Sequence, residues 1–325
     1  MMPQGQERRS MRIAITGATG FVGRSLLADE TLGEHERVAL TRRPPPEGPA
    51  PMKLRWVRGA LEDSQALARL VEGADLVIHI AGLVKARSAG EFFAVNEEGT
   101  ARLLRAMERH ASADARLLLV SSLAAREKDL SPYAASKRAG ERVVEEGLAP
   151  ERWTILRPPA LYGPGDREML PLWRAAGRGL LPAPAGAQQR LSLLHAEDLV
   201  RLIARWCAPD AATALAGRIF EIDDGRGGYS ADELACILSR VWGRAVRVLA
   251  LPRPLVATAA AIGGTIGRLR GEAVMLTPHK LPELLHPDWA VGPMDETLLA
   301  HWHPEIDAER GIRRTLLAVG APIPT

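Results

Sequence analysis

Tyr133 and Lys137 are the residues of this 325-residue chain whose types and spacing most directly predict chemistry. Ser131 is a favourable N-cap and Pro132 suits the first helical position, so the sequence predicts that a helix begins here. Four residues of helix place the phenol and the ammonium on one face. A free tyrosine titrates at about pH 10, and we expect the ammonium and the helix N-terminus to lower the pKa of Tyr133. Such a tyrosine can exchange a proton with a substrate hydroxyl.

Ser122 lies eleven residues before Tyr133, at the end of a predicted central strand. A hydroxyl at that position would hydrogen-bond the reacting oxygen of a substrate. Two plainer interpretations stay open. Local backbone groups can satisfy a serine at a strand end, and a surface helix can carry a tyrosine and a lysine at this spacing by chance.

Gly17, Gly20 and Gly23 join an apolar, strand-like run to a helical pattern. A turn that passes a dinucleotide pyrophosphate needs residues without Cβ for the bend, for close approach of backbone N–H groups and for helix packing. The following helix N-terminus attracts the anion. The spacing G-x-x-G-x-x-G is one residue longer at its front than the usual G-x-G-x-x-G. We interpret the segment as a cofactor loop; a structural glycine-rich turn is the alternative.

Arg42 and Arg43 end the second predicted strand, where the choice between NAD and NADP is made. An acidic residue there would accept hydrogen bonds from the ribose 2′-hydroxyl and repel a 2′-phosphate. Guanidinium groups suit a phosphate instead, because they present planar, paired donors. The pair therefore predicts NADP, with NAD as the other possibility. Two solvated loop arginines before the prolines at 44–46 are the plainer interpretation.

Short apolar runs alternate with helical segments over the first half of the chain, and this predicts the elements that position these residues. The pattern is typical of a doubly wound parallel sheet, an α/β Rossmann fold whose ligand lies at the carboxyl ends of the strands. We expect residues 1–10 to be disordered and 11–165 to form the dinucleotide-binding domain. Residues 166–325 would form a smaller C-terminal substrate lobe, with segments near 191–206 and 218–223 returning to the first domain. Residues 91–110 and 254–267 are predicted helical, and 181–187 a loop.

Composition and charge exclude several classes of function. The net charge of +3 is small and the basic residues are scattered, so we expect no nucleic-acid partner. Cys207 and Cys236 suggest two buried thiols rather than a disulfide, and we predict no metal site. The first ten residues lack an apolar signal core. The longest apolar stretch, 255–267, is too short to span a bilayer and suggests a packed helix. We therefore expect a cytoplasmic protein that acts on a small-molecule substrate.

Several further motifs give the chain its resemblance to a known family. From about Met11 to Leu199 it resembles the extended and atypical short-chain dehydrogenase/reductases, the NAD(P)-dependent epimerase/dehydratase group. The resemblance rests on residues 16–23, 79–82, 95–100, 121–122, 133–137, 157–165 and 195–199. It implies a Rossmann fold, an NAD(P)-dependent oxidoreductase or epimerase activity, and a homodimer as one expected assembly.

The resemblance also implies a role for each matching residue. Tyr133 would be the acid/base, Lys137 would hold the nicotinamide ribose and tune Tyr133, and Ser122 would orient the substrate oxygen. The cofactor-binding residues would be Gly17, Thr19, Gly20, Phe21, Val22, Arg42, Arg43, Leu61, Ala81, Gly82, Tyr133, Lys137 and Pro158. Asn96 would support the site without taking part in chemistry, and His195 and Asp198 would pack the junction between lobe and sheet.

Departures from the family pattern bear on the substrate and the cofactor. Ala60 stands where the family commonly has an aspartate, which removes an expected adenine contact. The stretch before His195 lacks the Arg-Asp-Tyr run of nucleotide-sugar enzymes, and the Ser122–Tyr133 spacing is shorter than theirs. Both differences favour the branch that resembles hydroxysteroid dehydrogenases and dihydroflavonol-type reductases. Two alternatives stay open: a nucleotide-sugar epimerase or dehydratase with tightly bound NAD, and a non-catalytic NADP(H)-binding subunit or redox-responsive partner.

Overall fold

Seven parallel strands form the central sheet of the computed structural model, which describes residues 10–45, 52–270, 273–274 and 276–324. The described residues contain fourteen strands, seven of them in smaller sheets: β1 Arg12–Thr16, β2 Glu36–Thr41, β3 Leu54–Arg58, β4 Leu76–His79, β5 Arg116–Val120, β6 Trp153–Arg157, β7 Ala160–Tyr162, β8 Leu180–Ala183, β9 Arg190–Leu191, β10 Leu193–His195, β11 Arg218–Glu221, β12 Tyr229–Ser230, β13 Arg247–Ala250 and β14 Asp288–Trp289. The order across the sheet is β11–β6–β5–β4–β1–β2–β3. The direction of winding reverses between β1 and β4, so the predicted doubly wound sheet is confirmed.

Helices cover both faces of this sheet and build the C-terminal lobe. They are α1 Phe21–Leu27, α2 Ser64–Val71, α3 Ala89–Asn96, α4 Glu98–His110, α5 Pro132–Gly147, α6 Leu170–Ala176, α7 Ala196–Trp206, α8 Pro209–Ala214, α9 Ala231–Trp242, α10 Arg253–Arg270, α11 Leu281–Leu284, α12 Glu296–Leu299 and α13 Ala308–Leu317. Short 3₁₀ turns lie at Glu30–Glu34, Leu123–Glu127, Pro150–Arg152 and Pro278–Lys280. The predicted disorder of residues 1–10 falls, apart from Ser10, outside the described residues.

Alternation along the strands divides the core between the two faces of the sheet. Ile13 and Ile15 of β1 point to the face covered by α1 and α7, where they join one buried cluster. Ala14, between them, belongs to the cluster under α2 and α4. A third cluster fills the lobe between α6, α9 and α13. Because both faces are buried, the inner strands of the sheet are mostly apolar, which is the pattern expected of a parallel sheet.

Two expectations about secondary structure are wrong in detail. The segment 181–187 was expected to be a loop, yet β8 pairs in parallel with β13 because its alternate residues Leu181 and Ala183 are buried. The helical stretch 91–110 is two helices, α3 and α4, with a break at Glu97. The break follows Asn96, whose side chain hydrogen-bonds a different segment of the chain.

Helix α10 and the two cysteines also differ from expectation in their burial. Residues 254–267 lie in a helix as predicted, but the helix is not packed on all sides, since Leu255 is 62% exposed. Both cysteines are free, and only Cys207 is buried while Cys236 is exposed. No helix among the described residues combines the length and apolarity needed to cross a bilayer.

Candidate active site

The predicted site residues follow the carboxyl ends of the parallel strands, so the fold brings them to one edge of the sheet. Gly17 follows β1, Ala81 follows β4 and Ser122 follows β5 by two residues. Residues that follow the other strands lie at the same edge: Arg42 and Arg43 after β2, Leu61 after β3, Gly82 beside Ala81, and Pro158 after β6. Since this edge is where open α/β sheets bind ligands, the sequence and topology indicate the same place.

The glycine loop is shaped so that side chains at its key positions would collide with backbone. Gly17 has a φ of +74°, and a Cβ there would lie 2.6 Å from the Ala81 nitrogen. A Cβ on Gly23 would lie 2.2 Å from the Gly17 carbonyl oxygen. The Gly20 N–H donates to that same oxygen at 2.9 Å and closes the turn. No side chain caps the start of α1, so its first N–H groups remain available to a phosphate. The loop, including Thr19, Phe21 and Val22, thus fits a dinucleotide.

A buried histidine fixes the strand ends beneath this loop. His79 Nδ1 lies 2.6 Å from Thr16 Oγ1, and Nε2 lies 3.0 Å from Thr100 Oγ1. Thr100 already donates its hydroxyl proton to the Asn96 carbonyl oxygen, so Nε2–H is the donor and Nδ1 accepts from Thr16. Burial lowers the pKa of His79 to about 3 and keeps the ring neutral. The sequence motif contained His79 but gave no sign of this structural role.

Arg42 and Arg43 are exposed at the end of β2, next to the strand that leads into the glycine loop. The Thr41 hydroxyl donates to the Arg43 carbonyl oxygen at 2.8 Å and shapes the turn between them. Leu61 is buried against Gly99, since a Cβ built on Gly99 would lie 2.8 Å from the Leu61 side chain. The two guanidinium groups can therefore reach a ligand, while Leu61 can offer only its backbone and a small apolar surface.

Tyr133 lies in the first turn of α5, which begins as the sequence predicts. The Ser131 hydroxyl accepts from the Ala134 N–H at 3.0 Å, and Pro132 is the first helical residue. The Tyr133 side chain is only 8% exposed, and its ring packs against Phe92 with centroids 5.7 Å apart. Ser122 is near enough for hydrogen bonding to act on the phenol, although its hydroxyl also accepts from the Ala124 N–H at 3.2 Å.

The expected lowering of the Tyr133 pKa is wrong for this structure. Burial raises the pKa of Tyr133 to about 12, hydrogen bonding with Ser122 acts in the opposite direction, and the Glu283 carboxylate raises it further. The Lys137 ammonium is directed away, donating to the Val120 carbonyl oxygen at 3.0 Å. The phenol is therefore protonated at neutral pH, and in that state it can donate a proton.

Lys137 is itself buried, one turn after Tyr133 on α5. Burial lowers the pKa of Lys137 to about 8, against the opposing effect of the Glu141 carboxylate. A Cβ on Gly82 would lie 3.6 Å from the Lys137 ammonium nitrogen. The lysine thus lies between the α5 tyrosine and the segment after β4, at the edge where a bound dinucleotide would pass.

The burial of Lys137 predicts a particular pH dependence of stability. An unfolded lysine keeps its proton up to pH 10.5, so between about pH 8 and that value the unfolded chain binds more protons than the folded one. The contribution of Lys137 to the free energy of unfolding therefore rises with pH over this range. We expect wild type to gain stability relative to Lys137→Met between pH 8 and pH 10, as measured by urea unfolding. If the free energies of unfolding of the two proteins change in parallel with pH, the lowered pKa of Lys137 is contradicted.

Two residues of the C-terminal lobe complete the surroundings of Tyr133, and sequence reasoning missed both. The Lys280 ammonium lies 4.2 Å from the centroid of the Tyr133 ring, a cation–π geometry. Glu283 forms an ion pair with Lys280 at 3.1 Å and accepts a hydrogen bond from the Ser131 hydroxyl. They lie about 150 positions beyond Tyr133 in the chain, without a local motif, and only the tertiary fold reveals them.

A cavity of about 190 Å³ opens onto Tyr133 between the sheet domain and the lobe. On one side it is bounded by the segment 85–89 and Phe92, and on the other by Gly264, Val274 and residues 277–280. Its rim carries an ion pair between Lys85 and Glu168 at 2.7 Å. The cavity gives a substrate access to the phenol from the lobe side.

The remaining motif residues have structural contacts. The Asn96 side chain accepts from the Leu83 N–H at 2.8 Å and donates to Ser136 Oγ at 2.9 Å. Asp198 accepts from the Glu305 and Ile306 N–H groups, at 3.1 Å and 3.0 Å. His195 caps α7 and packs edge-on against a tyrosine of β7. The contacts of Asn96 and Asp198 join separate segments of the chain.

Comparison with known proteins identifies what this arrangement resembles. The NAD dependent epimerase/dehydratase family matches residues 13–222. A protein of Caulobacter vibrioides named ceramide reductase is 39% identical over 280 residues, which are 85% of each chain. The 2-alkyl-3-oxoalkanoate reductase of Stenotrophomonas maltophilia is 28% identical over 66% of this chain and 71% of its own.

A solved structure supports the fold alone. A double mutant of dTDP-glucose 4,6-dehydratase from Streptomyces venezuelae, with NAD bound, superposes with a TM-score of 0.68. The match covers 96% of this chain and 98% of that one, at 21% identity.

Proposed function

This chain belongs to the NAD dependent epimerase/dehydratase family, and we propose that within it the chain is an NADPH-dependent reductase of ketones on long-chain lipids of the ceramide type. The observation that carries the proposal is Tyr133, a buried, protonated phenol in the lining of a cavity. A proton donor beside a cavity suits the conversion of a ketone to an alcohol. The 39% identity to a protein named ceramide reductase supports the substrate class.

The protein residues supply binding and the proton in this proposal. The Ser122 hydroxyl hydrogen-bonds the ketone oxygen, and Tyr133 donates its phenolic proton to that oxygen as negative charge develops there. The hydride for the carbonyl carbon would come from NADPH held at the carboxyl edge of the sheet, and one proton with one hydride would give the alcohol. Lys137 lies close to the segment after β4 and would bind the nicotinamide ribose, which its nearness to Gly82 supports.

The cofactor would lie along the carboxyl edge of the sheet. The pyrophosphate would be surrounded by Gly17, Thr19, Gly20, Phe21 and Val22. The loop backbone could approach the phosphates closely, because the glycines at its tightest positions carry no Cβ. The other contacts would come from Arg42 and Arg43 at the 2′-phosphate, Leu61 at the adenine, and Ala81, Gly82 and Pro158 along the nicotinamide half.

The test of this function is direct reduction by the purified full chain. With NADPH and a 3-oxo-ceramide in detergent micelles, we expect loss of NADPH absorbance and a lipid product that has gained two hydrogens by mass spectrometry. NAD that stays bound through extensive dialysis, together with epimerisation of a nucleotide sugar, would overturn the proposal in favour of the epimerase alternative. Nucleotide binding without turnover of any ketone or sugar would favour a non-catalytic subunit.

The arginine pair predicts the choice of nucleotide. We expect Arg42→Ala/Arg43→Ala to raise the KM for NADPH about tenfold to a hundredfold, since hydrogen bonds to charged groups contribute about 1.5–3 kcal/mol. The KM for NADH should stay unchanged. Arg55→Ala, at an exposed arginine of the neighbouring β3, is the matched control and should leave both constants unaltered. Equal KM changes for the two nucleotides would show that the pair does not contact the 2′-phosphate.

A further inference from the structure

Helix α10 exposes an apolar stripe that nothing among the described residues covers. Leu255, Ile262 and Leu269 are 62%, 55% and 83% exposed, and Ile266 is exposed beside them. Their spacing of seven and then four and three residues places them along one side of the helix. The opposite side is anchored on the protein through Val256 and Ala260. The helix therefore lies on the surface with an apolar face turned outward, an arrangement that typically marks an interaction site.

The charge around this stripe is positive. All charged residues of α10 are arginines, and Arg253 and Arg270 are exposed at its two ends. Residues 244–283 carry six basic side chains and two acidic ones, a net charge of +4 against +3 for the whole chain. The rest of the protein is therefore slightly negative, and the positive charge is concentrated in this segment. An apolar face bordered by arginines complements an anionic lipid surface.

Helix α10 lies between the stripe and the cavity that Tyr133 lines. Gly264 of α10 lines that cavity. A Cβ on Gly263 would lie 2.7 Å from the Leu276 carbonyl oxygen, so the helix packs closely on the segment before Lys280. One side of α10 thus forms a wall of the cavity, and the other carries the exposed stripe.

We propose that α10 docks in the plane of an anionic lipid bilayer, with its apolar stripe in the region between headgroups and acyl chains. The cavity would then lie about one helix diameter, about 10 Å, from the membrane surface, and a lipid ketone would have a short path to it; this last step rests on the proposed function. A second copy of the chain fits the stripe less well. A two-fold contact between α10 helices would bring arginines together without an acidic partner on either helix.

The docking surface is tested by flotation with vesicles, in the absence of nucleotide and substrate. Vesicles of equal parts phosphatidylglycerol and phosphatidylcholine should carry the wild-type protein, and high salt should weaken the binding. Leu255→Glu/Leu269→Glu should lower the vesicle partition coefficient about tenfold or more, because both side chains would leave the apolar region. Leu317→Glu is the control, since Leu317 is 57% exposed on α13 and lies outside the stripe.

The outcomes separate docking from catalysis. No flotation by the wild type, or equal flotation of wild type and Leu255→Glu/Leu269→Glu, would overturn the proposal. A smaller molecular mass for that variant in analytical ultracentrifugation, without any change in flotation, would assign the stripe to a second copy instead. Reduction of a short-chain, water-soluble ketone should be unchanged in the variant, so a failure of docking leaves the reductase activity measurable by itself.

Discussion

Tyr133→Phe should lower kcat for ketone reduction by a factor of about a hundred to ten thousand, the usual range for removal of a general acid. The variant keeps the ring, and with it the packing against Phe92 and the contact with Lys280. Only the phenolic proton is lost, so nucleotide affinity and thermal stability should stay close to those of wild type. Steady-state kinetics with NADPH and 3-oxo-ceramide, together with nucleotide titration by fluorescence, measure these quantities.

Tyr162→Phe is the matched control for this prediction. Tyr162 is also buried, but it lies in the lobe core, and its hydroxyl makes a single long hydrogen bond of 3.4 Å to the Asp307 carbonyl oxygen. We expect its kcat to stay near that of wild type. Unchanged turnover in Tyr133→Phe would assign the proton to another donor and remove the observation on which the proposed function depends.

The sequence predicts those parts of the site that depend on residues close together in the chain. Ser131 and Pro132 mark the start of α5, and a four-residue spacing then places Lys137 on the same face as Tyr133. Parallel strands bring every segment that follows them to one edge, so the order of motifs along the chain is enough to gather them. Lys280 and Glu283 depend on how the lobe folds back, and no local pattern carries that information.

Burial is the property that the sequence predicts least well. The Tyr133 pKa was expected to fall because a lysine lies one turn away, yet Lys137 donates to Val120 and desolvation decides the direction. The apolar run of α10 suggested a packed helix, because an apolar stripe toward a core and one toward a lipid surface have the same composition. Strand β8 was missed because Pro182 interrupts its apolar pattern, whereas its pairing depends on β13, far along the chain.

Gly17→Ala should weaken nucleotide use far more than a comparable glycine substitution elsewhere. A Cβ at Gly17 would lie 2.6 Å from the Ala81 nitrogen and 2.8 Å from the Ile80 carbonyl carbon, both backbone atoms that cannot move aside independently. The glycine loop must shift away from the segment after β4. Since a shift of about 1 Å in a positioned group can cost about a hundredfold in rate, we expect a loss of that order in kcat/KM for NADPH.

Gly73→Ala separates the collision from backbone strain. Gly73 has a φ of +60°, close to the +74° of Gly17, but a Cβ there would meet nothing within 4 Å. Both variants carry the left-handed backbone cost of roughly 1–2 kcal/mol in the free energy of unfolding. Only Gly17→Ala should lose more stability than this and also lose NADPH binding. If Gly17→Ala does not fold, Gly20→Ala tests the same loop with a smaller perturbation. The φ of Gly20 is −76°, and a Cβ there would lie 3.1 Å from the Gly17 carbonyl oxygen. Equal nucleotide affinities in Gly73→Ala and the loop variants would show that the pyrophosphate does not lie on this loop.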